Sequence, residues 1–350
     1  MSEGTLVDRA GPEGSLGAEP DIDRERQRLT GLFDIAPSRV LYAVCTLGVA
    51  DGVPPEGITT DELAARLGTD PDPLSRLVLA AETLGVFRVE ATGTVHLTVA
   101  GTLLRADAPS SLHAEFSDNA LFTAWGPFAE TVRTGRPSYE LATGTPIFDS
   151  MSGDPGALAS FHEHMWMRAR RLYRPLLPFL LQRCTRRVLD VGGGTGGLAT
   201  LLLDADDTVE VAVLDLPEVI ALVPPETSRH YGDRFSLVGG DVRHGVPEGY
   251  GTHLLGSVLH DWPDERAAAI LGRCAEALDA DGEIVLLERV LADTGPDPRR
   301  MGDIWMMAMA GGRERTRAQW AGLARTAGLA LRHIHDAEGE LSAIVLGRGA

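Results

Sequence analysis

The sequence of 350 residues predicts an α/β fold in which a doubly wound, mainly parallel sheet follows a mostly helical, winged-helix-like domain. After residue 185, short apolar strands alternate with helical segments, which is typical of a parallel sheet covered by helices on both faces. Before that residue, apolar side chains recur mainly at helical spacing. We therefore expect a disordered leader over 1–23, a helical domain over 24–184 and a sheet domain over 185–350.

Composition excludes several classes of protein. The net charge is −18, and all 32 Lys and Arg positions are arginines, so the surface should repel nucleic acid and anionic membranes. The leader lacks the apolar segment of a signal peptide, and no apolar run is long enough to span a bilayer. Cys45, Cys184 and Cys274 are far apart and odd in number, which favours neither disulfides nor a zinc site. We expect a cytoplasmic protein without nucleic-acid or membrane partners.

The first part of the helical domain has the element order of a winged helix. An amphipathic helix over 24–48 is expected to break near Pro37, and Thr59 should cap a helix that ends at Gly68. The next predicted elements are a helix over Pro73–Leu84 and strands over Val86–Val89 and Val95–Thr98. Residues 57–105 contain four arginines and six acidic residues, so this segment lacks the positive charge of a DNA-binding domain. We therefore expect a dimerisation and substrate-capping module.

The rest of the chain divides into helices and a sheet. Residues 110–184 have a helical pattern that is interrupted at Thr134–Pro137. The predicted strands of the sheet are Val188–Val191, Val209–Leu214, Phe235–Val238, Leu254–Leu259, Ile284–Val290 and Ile344–Leu346. The helices predicted between them include Leu198–Asp204, Asp264–Leu278 and Arg317–Ala327.

A glycine loop, Gly192–Gly197, follows the first strand of the sheet and precedes a helix. This arrangement lets the backbone approach a ligand closely, and it fits either a dinucleotide or S-adenosylmethionine. Asp215 ends the next strand, where a carboxylate can accept hydrogen bonds from both ribose hydroxyls, and Asp241 follows the third strand, where it could accept from the adenine amino group. No basic residue near the loop favours a phosphate, so the pattern favours S-adenosylmethionine.

A candidate base lies at the end of the fourth predicted strand. His260 should reach the crevice outside the carboxyl ends of the strands, and two later acidic residues, Glu288 and Glu314, could orient its ring. An isolated histidine in such a place is more often structural. The triplet His162-Glu163-His164, elsewhere in the sequence, lacks the spacing of a metal motif, so we interpret it as helix surface or pocket wall and expect no metal.

Five motifs in fixed order give the sequence a family resemblance. They are Leu189–Gly196, Asp215–Pro217, Gly240-Asp241, Val258–Trp262 and Gly312–Thr316. From residue 30 to 346 the chain resembles the plant-type small-molecule O-methyltransferases, a family that includes bacterial tailoring enzymes for aromatic polyketides. The resemblance implies a Rossmann-like catalytic domain, S-adenosylmethionine as the cofactor, S-adenosylhomocysteine as its product, and a homodimer formed by the N-terminal domain.

The resemblance also assigns roles. Gly192 would contact the methionine part of the cofactor, and His260 would accept the proton with Glu288 and Glu314 beside it. At Gly256-Ser257 this chain departs from the many relatives that have a basic residue there. The cofactor contacts implied are Gly192, Gly194, Asp215, Leu216, Asp241, Val242, Gly256 and Ser257. The acceptor contacts implied are Phe161, Met165, Trp166, Asp261, Met301, Trp305, Met306 and Met309, although a methionine stripe at helical spacing is more often core.

We therefore expect methyl transfer to a phenolic hydroxyl of a small aromatic acceptor, with His260 as the general base. A second reading is a relative that uses S-adenosylmethionine for decarboxylation, hydroxylation or rearrangement. A DNA-binding regulator is a third, which the acidic N-terminal half disfavours. N- or C-methylation is a variant of the first reading.

Overall fold

The computed structural model describes residues 21–108, 111–117 and 119–349. Most of the predicted leader, residues 1–20, lies outside the described residues, whereas Ile22 and Asp23 already belong to the first helix. The predicted division at residue 184 stays a prediction. It falls in the short connection between a helix that ends at Arg183 and a strand that begins at Arg187.

The N-terminal region forms the expected winged-helix pattern. Its elements are α1 (Ile22–Phe33), α2 (Ala36–Thr46), α3 (Val49–Gly52), β1 (Ile58–Thr59), α4 (Thr60–Leu67), α5 (Pro71–Thr83), β2 (Phe87–Val89), β3 (Thr94–Leu97) and α6 (Val99–Thr102). The three strands pair antiparallel in the order β1-β3-β2. Thr59 caps α4 in a reciprocal capping box with Glu62, and Gly68 ends that helix at a φ of 67°.

The predicted break of the first helix near Pro37 is confirmed, and it lies two to three residues before the proline. The chain leaves helical geometry at Asp34, whose ψ is 110°, and α2 restarts at Ala36. Pro37 lies in the first turn of α2, where its missing N–H costs no helical hydrogen bond. Proline therefore marks the start of the second helix rather than the interruption.

In the described part of the chain, the winged-helix region is connected to the sheet by seven α-helices: α7 (His113–Ser117), α8 (Asn119–Ala124), α9 (Phe128–Thr134), α10 (Ser138–Thr143), α11 (Ile147–Ser152), α12 (Pro155–Tyr173) and α13 (Leu177–Arg183). The longest of them, α12, begins at Asp154, whose carboxylate accepts from two backbone N–H groups of the first turn. The interruption predicted at Thr134–Pro137 is confirmed.

The remaining strands are β4 (Arg187–Val191), β5 (Glu210–Asp215), β6 (Phe235–Gly239), β7 (Tyr250–Gly256), β8 (Leu278–Glu288), β9 (Val290–Leu291), β10 (Arg315–Thr316), β11 (Leu329–Asp336) and β12 (Ser342–Arg348). The helices among them are α14 (Gly197–Ala205), α15 (Pro217–Ile220), α16 (Pro225–Tyr231), α17 (Asp264–Ala277), α18 (Arg300–Met309) and α19 (Arg317–Thr326). Seven of these strands form a sheet in the order β11-β12-β8-β7-β4-β5-β6. Strands β6, β5, β4, β7 and β8 are parallel, and β12 pairs antiparallel with both neighbours, which confirms the predicted fold class.

Two strand predictions need correction. The fourth strand ends at Gly256 and not at Leu259, because Ser257 has a left-handed φ of 54° that stops the ladder. The edge strand β11 was not predicted, since its alternation of apolar and polar residues gives only a weak pattern.

Apolar side chains on both faces of the sheet form the core. Leu189 and Leu255 belong to the cluster on one face, which includes Trp320 from α19. Val188 and Leu254 belong to the cluster on the other face, together with Leu180 and Tyr173. Successive residues of one strand thus enter opposite layers. None of the helices in the described part of the chain is both long and apolar enough to cross a bilayer.

Candidate active site

The chain order of the strands reverses between β4 and β7, so the carboxyl ends of these two strands open a crevice. The glycine loop leaves β4 at this crevice with left-handed φ values of 67° at Gly192 and 59° at Gly194. A Cβ on Gly192 would lie 2.9 Å from Cγ2 of Val258, and one on Gly193 would lie 2.6 Å from Oδ2 of Asp190. The loop therefore packs so closely between β4 and the segment after β7 that only glycine fits.

Asp215 holds the loop in place from the end of β5. Its Oδ2 accepts the N–H of Gly194 at 2.7 Å, and its Oδ1 accepts the N–H of Leu216 at 2.7 Å. Burial raises the pKa of this carboxyl, and the two N–H groups oppose that rise. Each oxygen keeps a further lone pair, so the carboxylate can also accept from two ligand hydroxyls.

Asp241 lies two residues beyond the end of β6 and has a cationic partner that the sequence did not reveal. Both of its carboxylate oxygens lie 2.9 Å from Nε of Arg243, and this contact lowers the pKa of Asp241. The next residue, Val242, packs against the core cluster of the sheet. An adenine amino group at this position would share the carboxylate with the guanidinium of Arg243.

Tyr173 packs against Gly256 and Ser257, at the end of β7. The phenol Oη lies 3.1 Å from Oγ of Ser257, and a Cβ on Gly256 would lie only 2.7 Å from the same oxygen. Tyr173 is buried at the end of α12. Sequence patterns do not reveal this residue, because only the glycine at the end of β7 encodes the close approach.

The candidate base lies on a short 3-10 turn, Leu259–Asp261, just after β7. Nδ1 of His260 is 3.1 Å from Oε1 of Glu314 and 3.5 Å from Oε2 of Glu288, and all three side chains are buried. Nε2 of the ring is 3.6 Å from Oδ1 of Asp261. The structure thus brings together the histidine and both glutamates that the sequence analysis singled out.

Charge around the ring controls its protonation. Burial alone would lower the pKa of His260, but the carboxylates of Glu288, Asp261 and Glu314 outweigh it and raise the value to about 9. Burial raises the pKa of Glu288 to about 7. Burial also acts to raise the pKa of Glu314, but His260 and Arg289 hold it below its ordinary value. The site therefore stabilises an imidazolium at position 260.

Three contacts not predicted from sequence fix the turn that carries His260. Glu288 Oε1 accepts the N–H groups of Val258 and Leu259 at 3.1 and 2.9 Å. The fully buried Arg315 donates to the carbonyls of Leu259 at 3.0 Å and Trp262 at 2.8 Å. A Cβ on Gly312 would lie 1.9 Å from the carbonyl oxygen of His260, so this glycine lets the 312–316 segment pack directly on the turn.

The donor atoms of His260, Glu288 and Glu314 lie within 4.8 Å of one another, a spacing that one metal ion could bridge. A cation is already present beside them, because Nη1 of Arg289 donates to Oε1 of Glu314 at 2.9 Å. Arg289 also pairs with Glu340. The glutamate is thus neutralised by an arginine of the chain itself.

Helix α12 forms the wall above the glycine loop. The backbone of Trp166 and the Cβ of Ala169 would lie 3.0 and 2.9 Å from a Cβ on Gly197, and Nδ1 of His162 would lie 3.4 Å from one on Gly194. Of the two interpretations of the His162-Glu163-His164 triplet, helix surface or pocket wall, the position of His162 favours the pocket wall. Phe161 and Met165 are half-buried on the same helix.

The methionine-rich helix α18 divides its residues between surface and core. Met301 is 69% exposed, whereas Met309 is buried in a small cluster with Tyr139 and Ala124. Trp305 and Met306 are half-buried, and the ring of Trp305 lies 5.6 Å from that of Trp125. Position 309 thus packs α18 against the preceding helices.

The crevice suits a ligand with S-adenosylmethionine's groups. The glycine cradle has no room for side chains, and Asp215 offers lone pairs for ribose hydroxyls. Asp190 lies under the loop with its Oδ2 buried and without a hydrogen-bond partner among the described residues. Burial, with a contribution from Asp215, raises the pKa of Asp190 to about 7. A cationic ligand above the loop would favour the ionised form of this carboxyl.

Known proteins share both the sequence and the architecture. A family model of the O-methyltransferase domain matches residues 125–330, and one of the O-methyltransferase dimerisation domain matches residues 31–107. The 2,7-dihydroxy-5-methyl-1-naphthoate 7-O-methyltransferase of Streptomyces carzinostaticus is 32% identical over 88% of this chain and 93% of its own length. The phenazine-1-carboxylate N-methyltransferase of Pseudomonas aeruginosa is 31% identical over 89% of this chain and 93% of its own length.

A solved structure extends the likeness to the cofactor. An O-methyltransferase from neocarzinostatin biosynthesis, in complex with S-adenosylhomocysteine and 1,4-dihydroxy-2-naphthoic acid, superposes with a TM-score of 0.79. It is 31% identical and the match covers 92% of this chain and 98% of that chain. Together with the glycine cradle and Asp215, these matches identify the cofactor of this protein as S-adenosylmethionine. The chain belongs to the family of S-adenosylmethionine-dependent O-methyltransferases.

Proposed function

We propose that this enzyme transfers a methyl group to a phenolic hydroxyl of a small aromatic natural-product acceptor and that His260 is its general base. The observation that carries the proposal is the position of the imidazole. His260 lies at the crevice beside the glycine loop, with Glu314 at 3.1 Å and Glu288 at 3.5 Å from Nδ1. This leaves Nε2 as the ring atom that can take a proton from an acceptor.

S-adenosylmethionine, when bound, supplies a methyl group on a sulfonium that needs no further activation. The tasks left to the protein are to hold the acceptor oxygen in line and to remove its proton. A phenol near pKa 10 is a poor nucleophile while neutral. His260, with a pKa raised to about 9, is a stronger base than an ordinary histidine and so is better matched to that proton. Glu288 and Glu314 then stabilise the imidazolium that forms.

The walls of the crevice support a planar acceptor. Phe161 and Met165 on α12 and Trp305 and Met306 on α18 are half-buried, and we infer that the two pairs form opposite walls of the acceptor site. Flat apolar walls with a few polar groups are typical of sites for aromatic ligands. The relatives named above act on a dihydroxynaphthoate and a phenazine carboxylate. We infer a substituted or polycyclic phenol for this chain.

N-methylation is a second candidate, because one relative is an N-methyltransferase. An aromatic ring nitrogen has a free lone pair and needs no base. The three carboxylates around His260 would then have no use in the reaction, which favours a hydroxyl acceptor.

A product assay tests the proposal. Purified enzyme would be incubated with S-adenosylmethionine and a panel of hydroxylated naphthoic acids and phenols, and the products examined by mass spectrometry and NMR. We expect S-adenosylhomocysteine together with an aryl methyl ether. A panel that yields only N-methylated products, or a transformed acceptor without S-adenosylhomocysteine, would overturn the assignment in favour of N-methylation or of non-transferring chemistry.

We also propose that the enzyme is a homodimer formed by its N-terminal domain. Helix α1 has no buried residue in the described chain, yet Leu32 and Phe33 are 72% and 87% exposed. Neighbouring large apolar side chains that are this exposed are typical of surfaces that bind another protein. The match of residues 31–107 to a dimerisation domain supports a second copy as the partner.

A further inference from the structure

Helix α12 presents one face to the glycine loop and one flank to α14. His162, Trp166 and Ala169 lie against the loop, at the spacings of three and four that define one helical face. Arg170 lies on the flank toward α14, where it donates to Thr200 at 3.0 Å and Asp204 at 2.8 Å. The helix therefore has a fixed orientation above the crevice.

Arg168 lies on the opposite flank. It shares this flank with Phe161, Met165 and Leu172, again at helical spacing. Leu172 packs against the core cluster that contains Leu287, the residue before Glu288. The flank of Arg168 is therefore turned away from α14 and continues into the core on one face of the sheet.

Arg168 is a half-buried residue whose guanidinium is unpaired within the described residues. Within the described parts of the chain, no acceptor lies within hydrogen-bond or ion-pair distance of it. It is nevertheless close enough to act on the site: burial raises the pKa of Asp261, and Arg168 opposes that rise. Arg168 has the same effect on Tyr173, the residue below Gly256.

Other cations at the crevice are already neutralised. Arg289 pairs with Glu314 and Glu340, and Arg243 pairs with Asp241. Arg168 has no such close partner among the described residues, although its charge also helps to lower the pKa of Glu340, the partner of Arg289. An unpaired, half-buried cation is costly unless an anion completes it. The carboxylates of Glu288, Asp261 and Glu314 surround His260 and would repel a carboxylate on a reactant. A nearby cation would offset this repulsion.

We propose that Arg168 binds a carboxylate of the reactants, an inference that rests on the proposed function. Two sources present this group: the methionine end of the cofactor and an aromatic acid as acceptor. A guanidinium can hold either one through paired N–H donors. The relatives' naphthoate and phenazine carboxylate are acids of the second kind.

Calorimetry on Arg168→Gln tests the proposal, with Arg171→Gln as the matched control. Arg171 is exposed on the same helix. One arm compares S-adenosylhomocysteine with 5′-methylthioadenosine, which lacks the carboxylate. The other arm, with cofactor product bound, compares a hydroxynaphthoic acid with the corresponding naphthol.

We expect Arg168→Gln to weaken one carboxylate-bearing ligand by about 10- to 100-fold, the usual loss for a hydrogen bond to a charged group, and to spare its carboxylate-free counterpart. The arm that responds identifies the source. Equal losses for both members of each pair, or no loss in either arm, would overturn the proposal. Wild-type enzyme that binds S-adenosylhomocysteine but none of the aromatic ligands would contradict the proposed acceptor class, while the cofactor arm would still decide the role of Arg168.

Discussion

Nδ1 of His260 lies 3.1 Å from Oε1 of Glu314, a contact that joins the turn after β7 to the segment before β10. The same oxygen accepts from Arg289 at 2.9 Å. Glu314 is thus placed between two cations when the ring is protonated, and between a cation and a neutral ring when it is not. This arrangement orients the imidazole and stabilises its protonated form.

Replacing the base should separate binding from catalysis. We expect His260→Ala to keep its affinity for S-adenosylhomocysteine but to lose turnover by roughly 10²-fold or more, because a phenolic proton then has no acceptor in the site. Steady-state kinetics and calorimetry measure the two effects. His230→Ala, on an exposed position of α16, is the control. Turnover that stays unchanged in His260→Ala would remove this residue from the base role.

The pH dependence of kcat/KM should report the raised pKa of His260. The base acts only when it is neutral, so activity should rise with pH, reach half of its maximum near pH 9 and level off above that pH. Glu288→Gln removes a charge that raises this pKa, and the rise should therefore move to lower pH. The amide oxygen of Gln can still accept from Val258 and Leu259. Glu276→Gln, on an exposed side chain, should leave the profile in place, and an identical profile in all three proteins would contradict the assignment.

Asp215 should govern cofactor affinity. Its carboxylate accepts from Gly194 and Leu216, and Asp215→Asn replaces one acceptor oxygen by a donor that faces an N–H group. We expect the Kd for S-adenosylhomocysteine to increase by about 10-fold or more. Asp207→Asn, on a fully exposed side chain, serves as the comparison. Equal affinities in both variants would argue against a ribose contact at position 215.

His253 should limit stability in acid. It is fully buried on β7, neither ring nitrogen has a hydrogen-bond partner among the described residues, and burial lowers its pKa to about 4. In the unfolded chain the imidazole of His253 takes up a proton near pH 6.5, whereas in the folded chain it stays neutral at that pH. Stability present above that pH is therefore lost as pH falls toward 4, by about 3 kcal/mol.

Denaturant titrations between pH 7 and pH 4 test this loss. His253→Leu should flatten the dependence, because the core position no longer titrates. His230→Gln should keep it. A dependence on pH that is as steep in His253→Leu as in wild type would assign the effect to other groups.

Disrupting α1 should dissociate the dimer. The double variant Leu32→Glu/Phe33→Glu places charges on the exposed apolar face, and sedimentation should change from dimer to monomer at micromolar concentration. Val132→Glu changes a residue that is 66% exposed outside the matched dimerisation domain and should stay dimeric. A monomeric wild type would refute the proposed assembly.

The sequence predicted those parts of the site that follow from strand ends. Gly192 and His260 follow strands of the parallel sheet and Asp215 ends one, and the carboxyl ends of such strands meet at one crevice. Glu288 ends β8, so it was also accessible to this reasoning. Glu314 was singled out as a later acidic residue, and the order of family motifs supported it, since it lies in a loop whose path no periodicity predicts.

What the sequence did not predict are contacts between distant segments. Tyr173 reaches Ser257 across 84 residues, and Arg315 reaches Leu259 across 56. No local spacing encodes such pairs, because tertiary packing alone brings the helix and the turn together. Arg243 was missed for another reason: a charged residue two positions after Asp241 is usually solvated.

The buried guanidinium of Arg315 has a consequence for engineering. It donates to two carbonyls of the 259–262 turn, while Gly312 packs on the carbonyl of the residue between them. These two stretches are packed against each other, although residues 263–311 separate them along the chain. A chimera that imports the turn of another enzyme without its matching 312–316 stretch would misalign the imidazole, so recombination libraries should exchange both stretches as a single block.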